Sequence, residues 1–207
     1  MKLYYSPGAC SLSPHIVARE LGLDITLDKV DLKARRTQSG EDYLQINPKG
    51  YVPALELDNG QVLTEGTAIV QYLADRHTGA KLAPANGTIE RARLQEMLGY
   101  ISTELHKSYS PLFNPATPEP VREERKAYLR KRYALLEQTL TQQPHLLGDD
   151  FTVADAYLFT VTNWAGGVDL DLSEFPALQA FQQRVGQRPA VQAALAAEGL
   201  GGKQQAA

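Results

Sequence analysis

The chain has 207 residues, 43% hydrophobic and 22% charged, with a formal net charge of −3, a profile that suits one large or two small soluble domains with a core. It excludes a membrane-spanning helix, because no stretch approaches the ~18 consecutive apolar residues a span needs. It also excludes a nucleic-acid footprint, because the one tight basic cluster, Arg130-Lys131-Arg132, falls on a solvated helix face. No secretory signal pattern opens the chain, and a single cysteine, Cys10, cannot close an intramolecular disulfide. The expected setting is therefore cytoplasmic.

Lys2-Leu3-Tyr4-Tyr5 is a predicted strand, Ser6-Pro7-Gly8 a turn, and Ser11 to Leu21 a predicted helix closed by Gly22. Cys10 falls at that helix start, where unpaired N–H groups and the helix dipole favour a thiolate, although a lone cysteine serves equally as small core filler. Residues 25–30 alternate like a half-buried strand, and a short helix is predicted near 41–46. Val52 to Leu57 and Gln61 to Leu63 flank Asp58-Asn59-Gly60, a hairpin signal. Val52-Pro53 opens the first arm, which fits either an edge position or a cis peptide that turns the Val52 backbone towards a bound peptide. Thr64 begins the next helix. Its free N–H groups suit a carboxylate, Gly66 permits close approach, and Glu65 suits an ammonium; together they would hold an α-amino acid end. Glu65 serves equally well as a complement to the helix dipole.

From about residue 78 the character changes. A turn-rich linker runs to Gly87, and beyond it only helices are predicted, at about 89–110, 119–142, 152–166, 174–186 and 189–197. In the first of these Leu94, Leu98, Ile101 and Leu105 define a core face. Gly99, Thr103, His106 and Ser110 project from nearly the opposite side at about 100° per residue, a small uncharged stripe suited to a ligand or a partner subunit. Tyr109 and Phe113 project beside His106, which as a lone histidine fits a structural place as well as a ligand contact. Thr152 with Asp155 reads as a capping box and Phe151 as its hydrophobic staple, so Asp155 is assigned to structure. By position, Tyr157 and Trp164 read as core. The tail from Gly199 to Ala207, rich in Gly, Gln and Ala, is expected to fray.

Five segments, taken in order, resemble one known family: Tyr4 to Ser11, Asn47 to Leu55, Leu63 to Ile69, Thr103 to Lys107, and Phe151 to Asp155. They are similar to the bacterial glutathione S-transferases of the beta class, over essentially the whole chain. The resemblance implies an α/β thioredoxin-like N-terminal domain with a mixed sheet (1–80), an all-α C-terminal helical domain (88–207), a homodimer and a cis Val52–Pro53 peptide. It implies a transferase that conjugates the glutathione thiolate to small hydrophobic electrophiles, with glutathione as co-substrate and no metal. By the same resemblance Cys10, His106 and Ser11 are the catalytic candidates. Cys10, Arg35, Tyr51, Val52, Pro53, Glu65, Gly66, Thr103, Glu104 and His106 are the glutathione-binding candidates. Tyr109, Phe113 and Trp164 line the hydrophobic co-substrate site. Arg35 stands where the family commonly has lysine, and Gly99 where it commonly has asparagine. Two other readings stand beside conjugation: thiol–disulfide exchange or reductive dehalogenation through Cys10, and a glutathione- or hydrophobe-binding protein with little turnover.

Overall fold

The structure is a computed structural model in which residues 1–201 are described. It divides into two compact units: Met1–Ala80 with the C-terminal segment from Gln187, and Lys81–Gly186.

The first unit is built on a five-stranded mixed sheet. Strand β1 (Lys2–Tyr5) leads through helix α1 (Leu12–Glu20) to β2 (Thr26–Asp31), which pairs with β1 in parallel. The short β3 (Arg36–Thr37) adds antiparallel to β2, and helix α2 (Tyr43–Ile46) follows. The hairpin of β4 (Ala54–Glu56) and β5 (Val62–Thr64) adds antiparallel to the other edge of β1, giving the order β3-β2-β1-β4-β5. Gly60, at φ +78°, supplies the left-handed residue that the hairpin turn needs. Helix α3 (Gly66–Asp75) then buries Ile69, Val70 and Leu73. Leu3 and Tyr4, adjacent on β1, are both buried, as expected of a central strand covered on both faces.

The last helix, α9 (Pro189–Ala197), packs on α1. Two pairings set the helices antiparallel. At one end Arg188 grips Glu20 with Nε at 2.6 Å and Nη2 at 2.9 Å. At the other, the fully buried Glu198 carboxylate meets His15 Nδ1 at 2.9 Å and accepts the Gly8 N–H at 2.9 Å. Arg19 Nε donates to His15 Nε2, which assigns the ring proton to Nδ1 and makes it the donor to Glu198. By sequence this helix falls in the second domain; in the structure it packs within the first unit. Gly199 and Leu200, expected to fray, fold back on the helix end, with the Leu200 N–H 2.8 Å from the Leu195 carbonyl. The rest of that tail, 202–207, lies outside the described residues.

The second unit is helical. Helix α4 (Ile89–Tyr100) starts at Thr88, whose hydroxyl accepts the Arg91 N–H. The single predicted helix at 89–110 is interrupted: Ile101–His106 forms a π-helical turn, followed by α5 (Lys107–Tyr109) and a 3₁₀ turn at Ser110–Phe113. Leu94, Leu98, Ile101 and Leu105 are buried, as their spacing predicts. Helix α6 (Glu119–Gln142) adds Leu129, Tyr133 and Leu136 to the core. Helix α7 (Val153–Thr162) is buried all round, and α8 (Pro176–Gly186) packs on α6 and α7. Asp155 accepts the Thr152 N–H, the Thr152 hydroxyl and the Leu146 N–H, each at 2.8 Å, so the predicted structural assignment of this carboxylate holds. Among the described residues no helix is long and apolar enough to cross a membrane.

Glu198→Ala is expected to cost about 2–4 kcal/mol, because it strands the Gly8 N–H and the His15 Nδ1–H without a buried acceptor. Thermal unfolding should show the midpoint lowered by roughly 10 °C. A midpoint equal to that of the parent protein would mean that the carboxylate contributes nothing to the fold.

Candidate active site

In the first unit the candidate residues fall along one continuous line of contacts. Helix α1 begins at Leu12 with Ser11 as its cap, so Cys10 lies one residue before the cap rather than at the open N–H groups. Its thiol instead donates to the Val52 carbonyl at 3.2 Å, a bond that only the protonated sulfur makes. Ser11 is fully buried. Its Oγ accepts the Ser6 N–H and donates to the Ser6 carbonyl, both at 3.2 Å, so this hydroxyl folds the Cys10 loop onto itself instead of facing outward.

The Val52–Pro53 peptide is cis, as the family resemblance implies. The Val52 side chain is buried with Tyr4, Val30, Tyr43 and Ala54, and this cluster holds its backbone in place. The Tyr51 carbonyl accepts from Asn47 Nδ2 at 2.7 Å and from the Tyr43 hydroxyl at 3.1 Å, while the Tyr51 side chain is half exposed. Burial pushes the Tyr43 phenol above its ordinary pKa, which keeps it a donor. Asn47 opens one of the segments that carry the family resemblance but is not among the predicted site residues; its role appears once the loop is folded.

Beyond Pro53 the line reaches α3. A β-carbon on Gly66 would sit 3.6 Å from Pro53 Cγ, so the two residues pack together. Glu65, at φ +69° and ψ 112°, occupies a conformation that residues with side chains rarely adopt. Its Oε1 meets Lys49 Nζ at 2.5 Å, and Lys49 also donates to Thr64 Oγ1 at 3.0 Å. The Glu65 carboxylate holds the Lys49 ammonium pKa above its ordinary value. Arg35 closes the group: its Nη1 would lie 3.0 Å from a β-carbon on Gly50, whose φ of +72° and missing side chain let the guanidinium pass. Cys10, Arg35, Tyr51, Val52, Pro53, Glu65 and Gly66 thus gather around one loop and the adjoining strand end. A cavity of about 370 Å³ elsewhere in this unit, bordered by Met1, Leu57, Tyr72 and Arg76, contains none of them.

In the second unit the π-helical turn carries Thr103, Glu104 and His106. A π turn takes more residues than an α turn, so the straight 100° projection that aligned Gly99 and Thr103 with His106 and Ser110 does not hold across it. The Thr103 hydroxyl bonds back to the Gly99 carbonyl at 3.1 Å. Glu104 is engaged by α6: the Tyr128 hydroxyl donates to it in a very short hydrogen bond, and Arg132 Nε lies at 3.1 Å. The Tyr128 hydrogen bond, with help from Arg132, holds the Glu104 carboxyl below its ordinary pKa.

His106 Nδ1 is 2.6 Å from the Tyr157 hydroxyl, and its ring meets the edge of Trp164 at 4.9 Å. Trp164 is central to the group, 5.6 Å from both Tyr109 and Phe113, with Phe113 stacked on Tyr109. The three co-substrate candidates therefore come together, but on two levels. Tyr109 is fully buried, with its hydroxyl 2.9 Å from that of Tyr133, and burial raises its pKa well above the ordinary tyrosine value. Phe113 is 53% exposed and provides the group's outer surface. Tyr157, expected only as core, is both buried and the partner of His106. Among the described residues no cluster of His, Cys, Asp and Glu could hold a metal ion.

Residues 8–76 match the family described as glutathione S-transferase, N-terminal domain, and residues 100–189 match glutathione S-transferase, C-terminal domain. Glutathione S-transferase GstA of Escherichia coli O157:H7 is 50% identical over 200 residues, covering 97% of this chain and 100% of the relative. Two solved structures superpose closely. The ternary complex of BphK, a bacterial GST, has a TM-score of 0.95 at 58% identity, and the bacterial beta-class enzyme of Sphingomonas chungbukensis a TM-score of 0.93 at 45% identity. Each covers 97% of this chain and 100% of its own.

The edge contact between His106 and Trp164, the one tryptophan in the sequence, yields an optical test. Removing the imidazole changes the surroundings of the indole, so the tryptophan emission spectrum of His106→Ala should differ from that of the parent protein. An emission spectrum identical to that of the parent would mean that the two rings are not in contact in solution.

Proposed function

The chain belongs to the glutathione S-transferase family and is a transferase with glutathione as co-substrate, and we propose that it joins the glutathione sulfur to small hydrophobic electrophiles. In this reading the Val52 backbone pairs with the cysteinyl unit of glutathione, and Tyr51, Pro53 and Arg35 complete the peptide's bed. Glu65 takes the α-ammonium, while the first N–H groups of α3, opened by Gly66, take the γ-glutamyl carboxylate. By resemblance to the family, Thr103 and His106 are carried over as glutathione-binding residues. Glu104, bound to Tyr128 and Arg132, acts through the shape of the π turn. Phe113 and Trp164 receive the electrophile, with Tyr109 as their support. We place the enzyme in the cytoplasm as a homodimer.

The observation that carries the mechanism is the Cys10 thiol on the Val52 carbonyl. Catalysis of conjugation requires the glutathione sulfur to ionise beside its electrophile. A second thiolate at Cys10 would oppose that ionisation by like-charge repulsion. A protonated Cys10, with its S–H held on the Val52 carbonyl, carries no charge and does not. The electron pair then comes from glutathione, and the leaving group departs from the electrophile with no covalent enzyme intermediate. Ser11 contributes by holding the loop that carries Cys10.

The same thiol supports a second reaction when its proton is lost. The Cys10 thiolate would attack a mixed disulfide of glutathione, releasing the other thiol and forming a Cys10–glutathione disulfide. A second glutathione thiolate would then restore Cys10 and leave as oxidised glutathione.

Two substitutions test the assignment. Cys10→Ala should abolish exchange with a glutathionylated thiol while keeping appreciable conjugation to an activated aryl halide; loss of both would make Cys10 obligatory and defeat the proposed mechanism. Glu65→Ala should raise KM for glutathione at least about tenfold, as expected when a charged hydrogen-bond partner is removed. The KM for the electrophile should move far less, and an equal rise in both would remove the ammonium site.

A further inference from the structure

We propose that Lys49 is an internal occupant of the Glu65 carboxylate that the glutathione α-ammonium must displace, so that Lys49 lowers the affinity for a ligand that brings an ammonium and leaves that for an amine-blocked one unchanged. The inference rests on the reading of Glu65 as the ammonium site. Lys49 Nζ lies 2.5 Å from Glu65 Oε1 and 3.0 Å from Thr64 Oγ1, where an incoming ammonium would find its natural partners. Two ammonium groups on one carboxylate repel each other, so binding of the ligand and retention of Lys49 compete.

Lys49 is not needed to hold Glu65 in place. The backbone on both sides of Glu65 is fixed: Thr64 pairs with Ala54 across the hairpin, and the Glu65 carbonyl accepts the Ala68 and Ile69 N–H groups at 3.0 Å. The positive φ of Glu65 sets the direction of its Cα–Cβ bond whether or not Lys49 is present. Lys49, by contrast, sits on the 47–51 loop with 43% of its side chain exposed, opposite a Glu65 side chain that is 55% exposed. Its ammonium can return to water at little cost, so the pair opens readily. An exposed pair of this kind is closed only somewhat more often than open. The apparent affinity for glutathione is then reduced by the fraction of molecules with a vacant carboxylate, about two- to fivefold.

The test is calorimetric titration of the full-length protein and its Lys49→Met variant with glutathione and with N-acetylglutathione, which lacks the ammonium. Lys49→Met should bind glutathione about two- to fivefold more tightly, N-acetylglutathione should bind both proteins alike, and the gain should shrink as salt is added. Weaker or unchanged glutathione binding in Lys49→Met would overturn the proposal and make Lys49 an aligner or a bystander. An equal gain for N-acetylglutathione would overturn it as well. Glu65→Gln separates the two levels: if it binds glutathione as tightly as the parent, the ammonium site itself is misassigned. If it binds weakly while Lys49→Met gains nothing, only the role of Lys49 falls.

Discussion

A buried carboxylate cannot be left unpaired, and in this fold that constraint is met by Glu198 reaching back from the end of the described chain. Its two oxygens are satisfied by the Gly8 N–H and by His15, so the residue that closes α9 also fixes the loop between β1 and α1. Everything proposed for the sulfur chemistry hangs on that loop. Gly8, at φ +70°, gives the turn its shape, and Ser11 tightens it through two bonds to Ser6. Cys10 is thereby delivered to the Val52 carbonyl. The position of the thiol is thus set by a residue nearly the whole length of the chain away.

The same economy governs the peptide bed. In the proposed bed the groups at residues 51 and 52 are backbone carbonyls whose places are fixed from below. The buried Val52 side chain, Tyr43 and Asn47 together hold the carbonyls of residues 51 and 52, and the β4–β5 hairpin holds Glu65. Because the scaffold fixes these groups, little ordering remains to be done when a flexible tripeptide binds.

Local signals in the sequence are legible where the physics is local. The first strand, the Asp58-Asn59-Gly60 hairpin, the Thr152–Asp155 cap and the leucine face of α4 each depend on neighbours within a few residues, and each is present in the fold. What escaped was set by distance or by a change of period. The packing of α9 on α1 depends on pairs such as Arg188–Glu20 that no window of sequence contains. The π turn at Ile101–His106 leaves the apolar spacing nearly intact, so a helical projection passes through it unaware while the polar stripe shifts. Cys10 was expected to meet the open N–H groups of a helix and instead meets a carbonyl, because the helix starts two residues later than the thiol. Tyr157 reads as core and Asn47 has no predicted role; their hydrogen bonds belong to the tertiary structure alone.

The π turn is itself a consequence of competing demands on one helix. Leu98, Ile101 and Leu105 must face the core, while Glu104 must reach Tyr128 and Arg132 on α6 and His106 must reach Tyr157 and Trp164. A regular α-helix turns about 100° per residue and leaves little room to adjust three directions within six positions. Widening the turn loosens that relation, and the Glu104 contacts on one side and the His106 contacts on the other hold the widened form closed. Such turns recur at functional sites because they re-aim a side chain without breaking the helix. Here the re-aimed side chain is the imidazole, set against the aromatic group whose exposed member is Phe113.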